Sequence, residues 1–167
     1  MKRLLTLMAM TIVMLALKAQ TYPPKDTPQL EFALQLRVTI DGAYTVGETR
    51  NGRRIVIGTF EGPRLKGTVI PGGADYQLAN ADATRTELEA IYSIKTDDGI
   101  YIHVRNKGLV VDGKDAQGQP YYYFKAAPQF EAPKDSRYAW LNDALFVCQP
   151  EWVKDFKGIV LNVWMVK

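Results

Sequence analysis

The stretch ELEAIYSIKT-DDG-IYIHVRN, residues 87–106, decides the fold that this sequence predicts. In both arms apolar and polar side chains alternate with a period of two, which is typical of a strand with one buried face. The corner Asp97-Asp98-Gly99 suits a type I turn followed by a left-handed residue, because glycine adopts positive φ without a steric penalty. The sequence therefore predicts an antiparallel β-hairpin.

The register of this hairpin sorts its side chains into two faces. Pairing outward from the turn places Ala90 opposite Asn106. A slip by one residue would bury Glu89 and Lys95, and desolvating unpaired charge is unfavourable. The face that we expect in the core carries Leu88, Ala90, Tyr92, Ile94, Ile100, Ile102, Val104 and Asn106.

Strands continue on both sides of the hairpin. The best of them is Leu30–Ile40, in which six apolar residues alternate with more polar ones. Two later strands are interrupted by Gly58 and Gly67, and interior glycines are typical of a sheet that bends to close. We count roughly eight to ten strands at regular spacing and no long helical periodicity. The sequence predicts an all-β fold, a closed antiparallel β-barrel wide enough for a small ligand.

The first residues are expected to be a targeting segment. Residues 1–19 start with Lys2 and Arg3, continue with the uncharged run Leu4–Leu17 and end at Ala19, a pattern typical of a secretory signal peptide. The alternatives are an uncleaved anchor or a buried helix, although the run is short of the about 20 residues that a bilayer needs. We expect a proline-rich leader at residues 20–29, a single barrel domain at 30–167, and export to the periplasm or the cell exterior.

Charge and cysteine content narrow the classes of partner. Three of the 21 basic residues lie in the expected signal, which leaves 18 basic against 18 acidic residues in the mature chain. Such a neutral chain gives no reason to expect a nucleic-acid partner or a membrane surface. Cys148 is the single cysteine, so an internal disulfide is impossible, and we expect it to be a small buried residue rather than a nucleophile.

Six short stretches resemble the domain-of-unknown-function family 3237. They are Gly58–Pro63, Pro71–Tyr76, Asp97–Gly99, Val104–Gly108, Pro128–Glu131 and Tyr138–Asn142. The resemblance runs from about Leu30 to Val166. It implies an antiparallel barrel of calycin-like or streptavidin-like shape and no agreed activity. The chain departs from the family at Ile91, where an arginine is common, and at Cys148, where a glycine is common.

Several polar and aromatic side chains are candidates for binding a ligand. Tyr92 and Asn106 point from the apolar hairpin face toward the expected interior, where polar tips need partners, either in a packed core or on a ligand. The aromatic run Tyr121–Phe124 is expected to line the cavity, with Trp140 near its mouth. The ligand-binding candidates are Tyr92, Asn106, Tyr123, Trp140 and Asn142.

The candidates for catalysis are Asp75 and Glu131, which we expect in rim loops beside aromatic residues. If they converge beside Trp140, burial could raise the pKa of one carboxyl group and make it an acid or a base. Each alone is more often a cap or a turn former. The single histidine, His103, falls on the polar hairpin face and cannot by itself build a zinc site. We expect neither a metal nor a cofactor, since the sequence has no motif for one.

Three hypotheses follow. The first, which we favour, is a barrel that binds a small apolar or aromatic molecule. The second is an isomerase- or cyclase-type enzyme on the same barrel that uses Asp75 or Glu131 for proton transfer. The third is a structural homo-oligomer, such as a homodimer, with a packed core and the polar hairpin face as its interface. A cavity of several hundred cubic ångströms favours the first two over the third.

Overall fold

The computed structural model describes residues 27–41 and 50–167, and for residues 40, 41 and 50–57 it describes the backbone alone. The expected signal peptide and most of the leader lie outside the described residues. Eight strands form a closed barrel in which neighbours in sequence pair antiparallel and the last strand pairs with the first. Their bounds are β1 Leu30–Asp41, β2 Arg50–Glu61, β3 Lys66–Ala79, β4 Arg85–Thr96, β5 Tyr101–Lys114, β6 Pro120–Glu131, β7 Phe146–Trp152 and β8 Ile159–Val166.

The hairpin of β4 and β5 has the register that the sequence predicts. Ala90 lies opposite Asn106, and the Thr96 N–H donates to the Ile100 carbonyl oxygen at 2.9 Å. Gly99 has a φ of 89°, in the left-handed region that favours glycine. The centre of the predicted core face is buried, namely Tyr92, Ile94, Ile102, Val104 and Asn106. The closed barrel and the hairpin are therefore confirmed.

Asp75 and Glu131, which we expected in rim loops, belong to strands instead. Asp75 lies inside β3, where a register shift between Ile70 and Ala74 accommodates the extra residues as a bulge. Glu131 is the last residue of β6, whose ladder with β5 runs on through Pro128. Bulges and strand prolines have the same local sequence signature as turns, and this explains both errors.

The predicted apolar face of β1 is correct only from Leu34 onward. The pairing with β8 shifts between Phe32 and Leu34, and both Ala33 and Leu34 are buried. Phe32 is consequently on the outside, 40% exposed, with its ring edge-on to Trp164 at 6.0 Å. A bulge of this kind reverses the side chains that precede it.

The two ends of the barrel differ. One end, which we call the closed end, carries the Asp97–Gly99 turn and the connection from β6 to β7, which includes the 3-10 helix Ala139–Asp143. There Leu141 and Tyr138 are buried, and the Tyr138 hydroxyl donates to Asp98 Oδ1 at 2.7 Å. The opposite end carries the turns after β3, β5 and β7, and we call it the open end because no helix lies there among the residues that the structure describes.

Candidate functional site

A cavity of about 250 Å³ lies inside the barrel on the side of the open end. Its wall is mainly apolar, with side chains from β1 and from β3 to β8, among them Val38, Leu88, Val110, Phe124 and Leu161. Tyr122 and Trp152 belong to the same lining, and Trp152 is 60% exposed. Among the side chains that the structure describes, the polar members of the wall are Asp75, Gln77, Thr86, Tyr92 and Asn106.

Tyr92 stands in the middle of β4 and is almost fully buried. The backbone of β3 passes so close that a Cβ on Gly73 would lie 2.3 Å from the Tyr92 Cβ, so the absence of a side chain there makes room for the tyrosine. Burial raises the pKa of the Tyr92 hydroxyl, and the neighbouring Cys148 and Asp75 raise it further. The hydroxyl therefore stays protonated and can donate a hydrogen bond.

Asn106 is 7% exposed and contributes its amide to the cavity wall. Burial raises the pKa of the neighbouring Cys148 thiol to about 12, and the polar side chain of Asn106 lowers it slightly. Asn106 Oδ1 is buried and has no hydrogen-bond partner among the residues that the structure describes. An unsatisfied buried acceptor is unfavourable by about 1–3 kcal/mol, so this oxygen is a feature to be explained.

Asp75 faces the same interior because of the register. It lies opposite Ala90 on β4, which lies opposite Asn106 on β5, and directly opposed residues share one face of a sheet. Its Oδ2 accepts a hydrogen bond from Gln77 Nε2 at 2.7 Å. We call Asp75, Gln77, Tyr92 and Asn106 the polar patch of the cavity.

The second predicted carboxylate does not join this patch. Glu131 is exposed on the outer surface, paired across the ladder with His103, which is also exposed. The barrel wall separates it from Asp75, so the two carboxylates do not converge, and the condition for the predicted carboxylate pair is not met. Tyr123 likewise faces outward, because side chains alternate along β6 and its neighbours Tyr122 and Phe124 face the cavity.

Trp140 and Asn142 lie at the closed end, away from the cavity that we expected them to border. The Trp140 ring packs under the Arg64 guanidinium group at 3.6 Å and near Phe146 at 6.0 Å. Asn142 fastens the β6–β7 connection, since its Oδ1 accepts from the Ala132 N–H at 2.7 Å and its Nδ2 donates to the Ala132 oxygen at 2.9 Å. Both side chains stabilise the β6–β7 connection that covers the closed end of the barrel.

Of the aromatic run Tyr121–Phe124, which we expected to line the cavity, Tyr122 and Phe124 do so. Trp152 and Gln77 are among the cavity residues that the sequence prediction did not name. Trp152 could have been found by applying strict alternation to β7, and Gln77 follows from Asp75 by a step of two. Across residues 27–41 and 50–167, no group of three His, Cys, Asp or Glu side chains could hold a metal ion. The same residues include no helix long and apolar enough to cross a membrane.

The fold and the cavity define an eight-stranded antiparallel barrel with an internal, mostly apolar pocket. The chain matches the family described as "Protein of unknown function (DUF3237)" over residues 28–166 and belongs to that family. It is 31% identical to a UPF0311 protein of Clostridium acetobutylicum, over 71% of this chain and 82% of the relative. It is 33% identical to a UPF0311 protein of Rhodopseudomonas palustris, over 72% and 88%.

Solved structures share the barrel. A protein of unknown function from Clostridium acetobutylicum superposes with a TM-score of 0.70 at 25% identity, covering 86% of this chain and all of the other. A beta-barrel like protein from Acinetobacter baumannii superposes with a TM-score of 0.69 at 28% sequence identity, covering 88% of this chain and all of the other. A Penicillium herquei protein described as an enzyme superposes with a TM-score of 0.65 at 24% sequence identity, covering 86% of this chain and 98% of the other. This likeness shows the fold alone.

Proposed function

We propose that this protein binds a small apolar or aromatic molecule that carries a hydrogen-bond donor. The observation that supports this most directly is the combination of an apolar cavity with an unpartnered acceptor in its wall, Asn106 Oδ1. Ligand sites are typically concave and apolar, with a few polar groups that fix orientation. A hydroxyl group of the ligand would satisfy Asn106, and the protonated Tyr92 hydroxyl would donate in return.

The size of the cavity limits the ligand. About 250 Å³ is slightly below the usual range of about 300–1,000 Å³ for drug-sized ligands, so a molecule of one or two rings suits it. For a two-ring phenol such as 2-naphthol, a contribution of roughly −0.5 kcal/mol from each non-hydrogen atom sums to a binding free energy of about −5.5 kcal/mol. The corresponding Kd is about 0.1 mM.

Paired probes test the proposal. Binding of 2-naphthol and of naphthalene is measured by fluorescence and calorimetry for the wild type, for Asn106→Leu, and for Asn162→Leu as a matched control. Asn162 is a half-buried asparagine that bonds Gln35 at 2.8 Å and does not border the cavity. The wild type and the control should prefer the naphthol, and Asn106→Leu should lose the preference. If the ratio of the affinities for 2-naphthol and naphthalene were the same in all three proteins, the proposal would be contradicted.

A second candidate is proton-transfer catalysis with Asp75 as the base, now without Glu131. This candidate is favoured because Asp75 raises the pKa of the buried Tyr92 hydroxyl, so that a carboxylate and a protonated tyrosine lie near each other in one apolar pocket. Asp75 would remove a proton from the carbon beside a ketone while Tyr92 donates to the enolate oxygen. Deuterium exchange of 2-tetralone in D₂O, followed by NMR, should then be faster with the wild type than with Asp75→Asn. Equal rates would exclude this role.

Export is a further part of the proposal and rests on the signal-like residues 1–19. Expression in a Gram-negative host followed by fractionation and N-terminal sequencing tests it. The expected mature chain begins at Gln20 and is found in the periplasm or medium. A full-length chain in the cytoplasmic fraction would contradict it.

A further inference from the structure

The barrel is closed by a weak seam between β6 and β7. The ladder between these strands consists of one residue pair, Ala126 and Cys148. By comparison, β5 and β6 are joined by twelve pairs and β7 and β8 by seven. Pro128 and Pro150 each lie two residues from the pair and have no N–H to donate, which limits the main-chain hydrogen bonds that the seam can form.

An outer groove of about 630 Å³ runs along this seam. Its apolar sides include Tyr123, Val147 and Trp164, and Cys148 borders it as well. Gly108 and Ala126 line both this groove and the internal cavity. Of the two, Ala126 belongs to the seam pair, and its single methyl group therefore stands between the two spaces there.

We propose that the ligand of the cavity enters from the outer groove and passes into the barrel through the seam. This inference presupposes the proposed function and adds the path by which the ligand reaches the cavity. The groove offers the ligand an apolar and aromatic surface, bordered by Lys107, Lys125 and Gln149. Opening the seam separates one residue pair, whereas opening the wall between β5 and β6 would separate twelve. The competing route is the open end, past Tyr122 and Trp152.

A reversible lock on the seam tests this route. Ala126 lies directly opposite Cys148, and directly opposed residues of antiparallel strands have Cα atoms about 4.5–5.5 Å apart. That separation is within the range of about 4.4–6.8 Å that a disulfide spans. Ala126→Cys can therefore be oxidised to a disulfide with the native Cys148 and released with a reductant. Ala126→Cys combined with Cys148→Ala is the control that cannot form the bond.

The readout is stopped-flow binding of 2-naphthol with and without reductant, after mass spectrometry has confirmed the disulfide. Oxidation should slow association and dissociation together, each at least tenfold, and reduction should restore both rates. The control should not respond to reductant. Unchanged rates in the locked protein would overturn the proposed route and assign entrance to the open end, in which case Trp152→Ala should change the rates.

A second variant keeps the test decisive if the disulfide does not form. Ala126→Val places a larger, β-branched side chain at the seam pair, directly opposite Cys148. It should therefore slow both rates in the same direction, and unchanged rates would contradict the route. Absence of equilibrium binding by the wild type contradicts the proposed function itself, whereas binding with unaffected rates contradicts the seam alone.

Discussion

Asn106→Leu should stabilise the protein while weakening its ligand binding. The substitution removes an acceptor, Oδ1, that is buried without a partner, and such an acceptor destabilises by about 1–3 kcal/mol. It also removes the polar interaction between the amide and the Cys148 thiol, which offsets part of the gain. The net expectation is an increase of about 1 kcal/mol in the free energy of unfolding, or about 2–5 °C in Tm for a chain of this size.

Urea unfolding followed by tryptophan fluorescence measures this change, with the m-value as a check that the same surface is exposed. Asn106→Asp is the matched variant that should lower the free energy of unfolding, because it places a charge where the amide is almost fully buried. A loss of stability above about 1 kcal/mol in Asn106→Leu would show that the amide is a satisfied core group and would refute the reasoning.

Three further predictions concern the fold around the site. Gly73→Ala should lower the free energy of unfolding by about 1–3 kcal/mol, because the new methyl would collide with Tyr92; chemical denaturation measures it. Trp140→Ala should lower the free energy of unfolding by about 2 kcal/mol yet leave naphthol binding unchanged, because the ring packs on Arg64 outside the cavity; a loss of affinity at full stability would contradict its placement. Because burial raises the pKa of Cys148 to about 12, the unfolded chain loses this proton first, and the thiol should lower stability as the pH rises from 9, at up to about 1.4 kcal/mol per pH unit. Cys148→Ala should reduce the slope between pH 9 and 10, whereas a fall above pH 10 remains because the pKa of the buried Tyr92 hydroxyl is also raised. An unchanged slope below pH 10 would contradict the shift.

The hairpin and the closed barrel could be predicted because alternation and turn chemistry are local signals. Ile94 and Ile102 had to face the core, since the other register buries Lys95. The bulges in β1 and β3 could not be predicted, because a one-residue shift such as that at Phe32 depends on the partner strand and leaves no mark in the local pattern.

The site was predicted in part for the same reason. Tyr92 and Asn106 line the cavity because the hairpin register fixed their direction. Asp75 also lines it, although the sequence suggested a loop rather than a strand. The convergence of Asp75 with Glu131 depended on which side of the wall each strand turns its carboxylate, and that is a property of the assembled barrel.

The most direct test is an NMR titration of the isotope-labelled protein with 2-naphthol, in which nuclear Overhauser effects locate the bound ring. We predict contacts from the naphthol to the methyl groups of Leu88, Val110 and Leu161, together with a shift of the Asn106 side-chain amide signals. A ligand that saturates without contacting these methyl groups, or a titration in which none of these signals moves, would contradict a binding site inside the barrel.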